Sequence, residues 1–136
     1  MSDAARHRVL LVEDHAALAE ATAALIRLHG LDVSIAVSGA EALKLAEEYH
    51  PVLVLCDLTL PDMTGLDVVQ ALRAQRGAND WLAVILSAMS PTHLREMEGH
   101  PHASDILLFL PKPLTRPMLI DLIGRLDALR PSAGSA

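Results

Sequence analysis

Only three aromatic residues, Tyr49, Trp81 and Phe109, stand in a chain of 136. Proteins that bind single-stranded nucleic acid by stacking bases need more rings than that, so this class is excluded. Cysteine is rarer still. Cys56 alone cannot close an internal disulfide, and without a cysteine pair there is no framework for a zinc or iron–sulfur site. A reducing, cytoplasmic compartment is the expectation. Long hydrophobic runs are also missing. The longest, Ile106 to Pro111, is far short of the roughly 20 residues that span a bilayer. Met1 to Arg8 has no apolar core of the secretory type. Positive charge is in deficit, with 11 Lys and Arg against 17 Asp and Glu and a net charge of -6, so no direct binding of nucleic acid by this segment is expected.

What is present is a well-formed globular composition, 51% hydrophobic and 21% charged, of a length that suits one domain. Short apolar runs recur: Val9–Val12, Val33–Val37, Val52–Cys56, Ala83–Leu86 and Ile106–Leu110. Apart from Val33–Val37, which Ser34 breaks, they are continuous rather than alternating, as strands of a parallel sheet covered on both faces are. The stretches between them read as helices. The first follows Asp14, runs to His29 and is closed by Gly30. The second covers Gly39–Tyr49, with Ser38 as N-cap and Glu41 completing a capping box. The third covers Gly65–Arg76, with Leu66, Val69 and Leu72 on one face. Pro91–Glu98 is a short fourth, and a fifth follows Thr115, with Leu119, Leu122, Ile123 and Leu126 inward. Fivefold strand–helix alternation predicts an α/β fold with a parallel sheet and right-handed crossovers. The boundaries expected are an arm over 1–8, a folded domain over 9–129 and a tail or linker over 130–136.

Ligands of an open parallel sheet bind outside the carboxyl ends of its strands. The residues at those ends are Glu13 and Asp14 after the first strand, Asp57 after the third, Ser87 after the fourth and Lys112 after the fifth. Three carboxylates held close repel one another, and a hard divalent cation relieves the repulsion; oxygen donors favour Mg²⁺. Such a site leaves a carboxylate oxygen free to attack phosphorus, with Ser87 and Lys112 available to the phosphoryl oxygens. Each residue alone has a plainer reading. Asp14 could be a helix cap, Asp57 a turn residue before Pro61, Ser87 a loop hydroxyl and Lys112 a surface charge. All five together, at the ends of the first, third, fourth and fifth strands, are hard to obtain by accident. Cys56, next to Asp57 on a strand, should point to the opposite face and serve as a small core residue. His15 should be a surface residue that opens the first helix.

The stretches Val9–Asp14, Asp57–Gly65, Leu86–Ala88 and Leu110–Pro113 together resemble the receiver domain of bacterial two-component response regulators, from Val9 to about Leu129. The resemblance implies a five-stranded doubly wound sheet of order 2-1-3-4-5, the flavodoxin-like or chemotaxis-protein-like fold. It implies Asp57 as phosphoacceptor and Mg²⁺ held by Glu13, Asp14, Asp57 and the backbone carbonyl of Thr59. Ser87 would be the switch hydroxyl, Lys112 the phosphate-binding lysine and Phe109 the switch aromatic, with a cis Lys112–Pro113 bond. The implied partners are a sensor histidine kinase or a histidine phosphotransfer protein, docked at the exposed edge of the first helix. A downstream effector or a second copy would use the face of helix 4, strand 5 and helix 5. The chain departs from the family at Glu13, where many members have Asp. It departs again at His100–Asp105, which replaces the usual Gly-Ala pair before the fifth strand.

The reading is a signalling switch that assists its own phosphorylation and dephosphorylation, in a soluble cytoplasmic protein. A Mg²⁺-dependent phosphohydrolase with an Asp nucleophile is the competitor. It needs a second Asp two residues on, where Thr59 stands. A dinucleotide-binding domain is excluded because Val12–Ala17 replaces the glycine-rich phosphate turn.

Overall fold

A computed structural model describes residues 7–77, 80–88, 90–99 and 106–129. Met89, the departure at His100–Asp105 and the tail from Arg130 lie outside the described residues, as does most of the N-terminal arm. Ten elements alternate along the chain: β1 (Arg8–Val12), α1 (Ala16–Leu28), β2 (Asp32–Ala36), α2 (Gly39–Tyr49), β3 (Leu53–Asp57), α3 (Gly65–Arg76), β4 (Leu82–Ser87), α4 (Pro91–Glu98), β5 (Leu108–Pro111) and α5 (Arg116–Leu129). The strands form one parallel sheet in the order β2-β1-β3-β4-β5, the order expected.

The sheet divides the core into two layers. On one face Leu10, Val12, Val54, Cys56 and Ile85 meet α2 and α3 through Ala42, Ala46, Val68 and Leu72. On the other Val9, Leu11, Leu55 and Val84 meet α1 and α5 through Ala23, Ile26, Leu119, Leu122 and Leu126. Burial on both faces explains why β1, β3 and β4 are apolar between their ends, with polar residues only at Arg8, Asp57 and Ser87. The two edge strands depart from the sequence reading. β2 lies one residue earlier, because Arg8 pairs with Asp32 and Val12 with Ala36, which leaves Val37 about half exposed. β5 starts at Leu108 instead of Ile106, although Ile106 is buried. An apolar run marks burial, and burial begins before the ladder does.

Local chemistry sets the helix ends. α1 starts at His15, whose Nδ1 accepts the Leu18 amide at 3.2 Å, so the cap is His15 and not Asp14. It stops at Gly30, which takes the left-handed backbone (φ +83°) that a side chain disfavours. Ser38 caps α2 by accepting the Glu41 amide at 3.1 Å. The expected box is not closed on Ser38, because the Glu41 carboxylate reaches one residue further and accepts from the Val37 amide at 2.8 Å. α3 carries a full capping box between Thr64 and Asp67.

At the sheet edge away from the strand C-termini, Trp81 is almost fully buried. Its indole N–H donates to the Gly77 carbonyl at 2.8 Å, and the guanidinium groups of Arg73 and Arg76 lie 4.6 and 5.0 Å from the ring centre. Arg76 also donates to the Pro51 carbonyl at 2.7 Å. These contacts tie the end of α3 to the starts of β3 and β4.

Candidate functional site

The opposite edge of the sheet gathers charge. β1 delivers Glu13 and Asp14 beyond its last residue, and the adjacent β3 ends in Asp57. Each carboxylate offers an oxygen, and the three oxygens lie within 4.8 Å of one another. Glu13 is buried, Asp57 nearly so, and Asp14 is exposed, so the cluster has a closed floor and an open mouth. Glu13 is held at both ends: its amide donates to the Ala36 carbonyl at 2.9 Å, and its Oε2 accepts the His15 amide at 3.1 Å.

Lys112, directly after β5, reaches back across β4 into this cluster. Its ammonium lies 2.5 Å from Glu13 Oε1 and 3.1 Å from Asp57 Oδ2. Burial alone would pull the Lys112 ammonium down. Hydrogen bonds that the ammonium donates to Glu13 and Asp57, with their negative charge, outweigh it and hold the group above the ordinary lysine value. Its position is fixed by its own backbone, since the Lys112 amide donates to the Ser87 carbonyl at 2.8 Å. The Lys112–Pro113 peptide bond is cis, as expected.

A small hairpin connects Asp57 to α3. Gly65 N–H donates to the Leu58 carbonyl at 2.7 Å, Leu60 N–H to Met63 at 3.2 Å, and Thr59 forms an antiparallel bridge with Thr64. The Thr59 amide donates back to Asp57 Oδ1 at 3.3 Å. Glycine is required at 65 by space: a Cβ there would lie 2.5 Å from the Asp57 carbonyl oxygen and 2.9 Å from Ile85 Cδ1.

Ser87 ends β4 and is buried next to these groups; Asp57 pairs with Leu86 and Ser87 with Pro111. Ile85 pairs with Phe109, so by two-residue alternation Ser87 and Phe109 belong to the same face, one pleat apart. Phe109 is 8% exposed and packs inward among the α2/α3-side core residues. Cys56 faces that core too, fully buried, and burial pushes its thiol far above the ordinary range, as the neighbouring carboxylate charges also do. Glu13, Asp14, Asp57 and Lys112 thus converge, Thr59 and Ser87 border them, and Phe109 lies one layer away.

Sequence reasoning missed Asp62. This exposed carboxylate, at the hairpin tip, accepts the first two amides of α2, Gly39 and Ala40, each at 2.9 Å. Only its place after Pro61 marked it as a turn residue, and a link 22 to 23 residues upstream leaves no trace in local spacing.

The family described as "Response regulator receiver domain" matches residues 9–124. Among curated proteins, the DNA-binding response regulator MtrA of Mycobacterium tuberculosis (strain ATCC 25618 / H37Rv) is 41% identical over 90 residues, covering 66% of this chain and 38% of MtrA. The transcriptional regulatory protein PrrA of the same strain is 37% identical over 128 residues, covering 94% of this chain and 52% of PrrA. The chain therefore spans about half or less of the length of these relatives. A CheY-like receiver domain from Methanospirillum hungatei JF-1 superposes with a TM-score of 0.78 at 22% identity, covering 93% of this chain and 98% of that one. One from Methylobacillus flagellatus does so at 0.77 and 26% identity, covering 88% and 98%.

Proposed function

Because the chain belongs to the response regulator receiver family, we propose that it accepts a phosphoryl group from a phosphohistidine onto Asp57 and changes its binding surface in response. The observation that carries this reading is the closed-floored cluster of Glu13, Asp14 and Asp57 with Lys112 reaching into it. Three hard carboxylate oxygens around one ammonium leave excess negative charge at an open mouth, a donor set that fits Mg²⁺. Glu13, Asp14, Asp57 and the Thr59 carbonyl would hold the ion. When bound it supplies charge neutralisation for the phosphoryl oxygens.

The chain's own residues do the rest. A carboxylate oxygen of Asp57 attacks phosphorus as the P–N bond to the donor imidazole breaks, and the imidazole leaves with the bond's electron pair. Lys112, freed from its contact with Asp57 Oδ2, pairs with a phosphoryl oxygen. Ser87 turns its hydroxyl to another. Phe109, on the same face one pleat away, answers that turn, and the surface of α4, β5 and the start of α5 changes with it. The donor's histidine-bearing helix docks on the exposed side of α1, where Ala17, Ala21, Ala24 and Leu28 lie at helical spacing close to the mouth at one end. An effector or a second copy takes the α4–β5–α5 face. The protein acts as a switch in the cytoplasm, over a domain bounded near 9 and 129. Among the described residues no helix is long and apolar enough to cross a membrane.

Acetyl phosphate with Mg²⁺ should add one phosphoryl group to the parent protein, read by intact mass, and none to Asp57→Asn. Labelling that survives in Asp57→Asn removes the reading, and labelling at full rate after chelation removes the metal from it. Steady turnover of a small phosphoester would favour a phosphohydrolase.

A further inference from the structure

The hairpin that follows Asp57 is pinned at both ends. At its base, Gly65 donates to Leu58 at 2.7 Å beneath the Asp57 carbonyl. At its tip, Asp62 spends both carboxylate oxygens on the first amides of α2: Oδ1 accepts from Gly39 and Oδ2 from Ala40. Next to it Met63 lies so close over Gly39 that a Cβ there would fall 2.5 Å from Met63 Cγ and 2.6 Å from its sulfur. Thr59 sits between the two pins, in bridge contact with Thr64 and donating to Asp57 Oδ1.

We propose that Asp62 is a positioning residue for the phosphoacceptor site: by clasping the N-terminus of α2 it fixes the hairpin and so the Thr59 backbone that would face the cation. The inference rests on the receiver reading only for what Thr59 does; the clasp itself is a matter of geometry. The need for it is visible in the hairpin. Only the Thr59–Thr64 bridge and the Leu60–Met63 hydrogen bond join its arms above the base, and Pro61 and Asp62 at its tip are solvent-exposed. A short two-stranded hairpin has little stability of its own in water. An anchor at its tip converts it into a strut between β3 and α2. The anchor is strong for its size, since an anionic acceptor on two amides at a helix N-terminus meets both the unpaired donors and the helix dipole. Those same amides hold the Asp62 carboxyl below its ordinary range.

The alternative is that Asp62 merely caps α2. Ser38 separates the two roles, because its hydroxyl caps the same helix end by accepting from Glu41, a bond within α2 and not to the hairpin. The experiment compares the parent with Asp62→Ala, Asp62→Asn and Ser38→Ala by Mg²⁺ calorimetry and by amide hydrogen exchange in metal-free buffer. Loss of an outer-shell support weakens metal binding by about 10-fold. Asp62→Ala should show that loss together with faster exchange at Thr59 and Gly65. Asp62→Asn, with one amide-oxygen acceptor in place of two, should fall between it and the parent. Ser38→Ala should leave Mg²⁺ affinity and hairpin exchange unchanged even though α2 frays. Equal effects of Asp62→Ala and Ser38→Ala, or no effect of either Asp62 variant, overturn the proposal. The exchange arm reads the clasp without metal. A parent protein that binds no Mg²⁺ therefore counts against the receiver reading of the site, and unchanged hairpin exchange in Asp62→Ala counts against the clasp.

Discussion

Replacing Lys112 by methionine keeps most of the side chain's length and removes its charge. In the parent, the ammonium contacts Glu13 and Asp57, and the three side chains are 15%, 5% and 11% exposed. Removing one partner of a buried ion pair costs about 3–5 kcal/mol, because the carboxylates left behind are both desolvated and mutually repelling. The exposed mouth at Asp14 lets water in and places this case near the lower end, about 3 kcal/mol. For a domain of this size each kcal/mol moves the melting temperature by about 3 °C, so Lys112→Met should melt about 10 °C below the parent in metal-free buffer at pH 7. Two further readings tie the loss to charge. Adding Glu13→Gln to Lys112→Met should restore part of the loss, because the two residues are coupled. Mg²⁺ should stabilise Lys112→Met more than the parent, since in the parent the ion competes with an ammonium already in place. The pH dependence has a definite sign. The folded-state pKa of Lys112 is raised above 10.5, so its contribution is fully present below that pH and is lost as pH rises through the folded value. The gap between parent and Lys112→Met should therefore be flat from neutral pH to about 10 and close only above it. Differential scanning calorimetry gives all of these. A Lys112→Met protein that melts within about 2 °C of the parent, without metal, would refute the idea that the lysine holds the cluster together.

Gly65→Ala puts a methyl group 2.5 Å from the Asp57 carbonyl oxygen; overpacking of this kind costs about 1–3 kcal/mol, and acetyl phosphate labelling of Asp57 should slow together with the fall in melting temperature. Trp81→Ala empties a site that is 2% exposed and should cost about 3–5 kcal/mol by urea unfolding, whereas Trp81→Phe, which loses the hydrogen bond to Gly77 but keeps most of the volume, should cost about 1–2. The Cys56 thiol is fully buried and shifted upward by that burial, so a thiol reagent at pH 8 should label it only at the rate of unfolding, with native-state labelling faster than that speaking against the packing described.

The parts of the fold that were legible in the sequence are those where one physical cause dominates. β1, β3 and β4 are buried on both faces, and nothing but an apolar run can fill such a strand. The edge strands answer to two causes. β2 is set by its pairing of Arg8 with Asp32, and hydropathy alone shifts it by one residue toward Val37. β5 is shortened because Ile106 is buried without belonging to the strand. The convergence of the acidic residues was legible because topology turns strand ends into neighbours. Glu13 and Asp57 are 44 positions apart in sequence, yet a parallel β1–β3 pair delivers both to one edge. The bridge from Lys112 to Glu13 as well as Asp57 was not legible, since it joins side chains 99 positions apart whose rotamers no local pattern sets. Nor was the tie from Asp62 to α2, in which no local pattern links a turn carboxylate to a helix that has already passed.

These two illegible contacts share a logic. Repelling carboxylates at a sheet edge are destabilising, and the chain offsets them with a cation brought across two strands, while the strut that Asp62 anchors holds the adjoining hairpin. A phosphoryl group on an Asp57 oxygen would meet the contacts next to these two: the Lys112 ammonium on Oδ2 and the Thr59 amide on Oδ1. On the proposed reading, phosphorylation would therefore act on bonds that hold the resting arrangement. That is a condition for a switch, because a modification moves an equilibrium only by the free energy with which it distinguishes the two states. On the same reading Phe109, held at 8% exposure on the same face as Ser87, would be the element whose packing registers the difference. An aromatic side chain in a close-packed core has few rotamers open to it, so its response is a step between positions and not a gradual displacement.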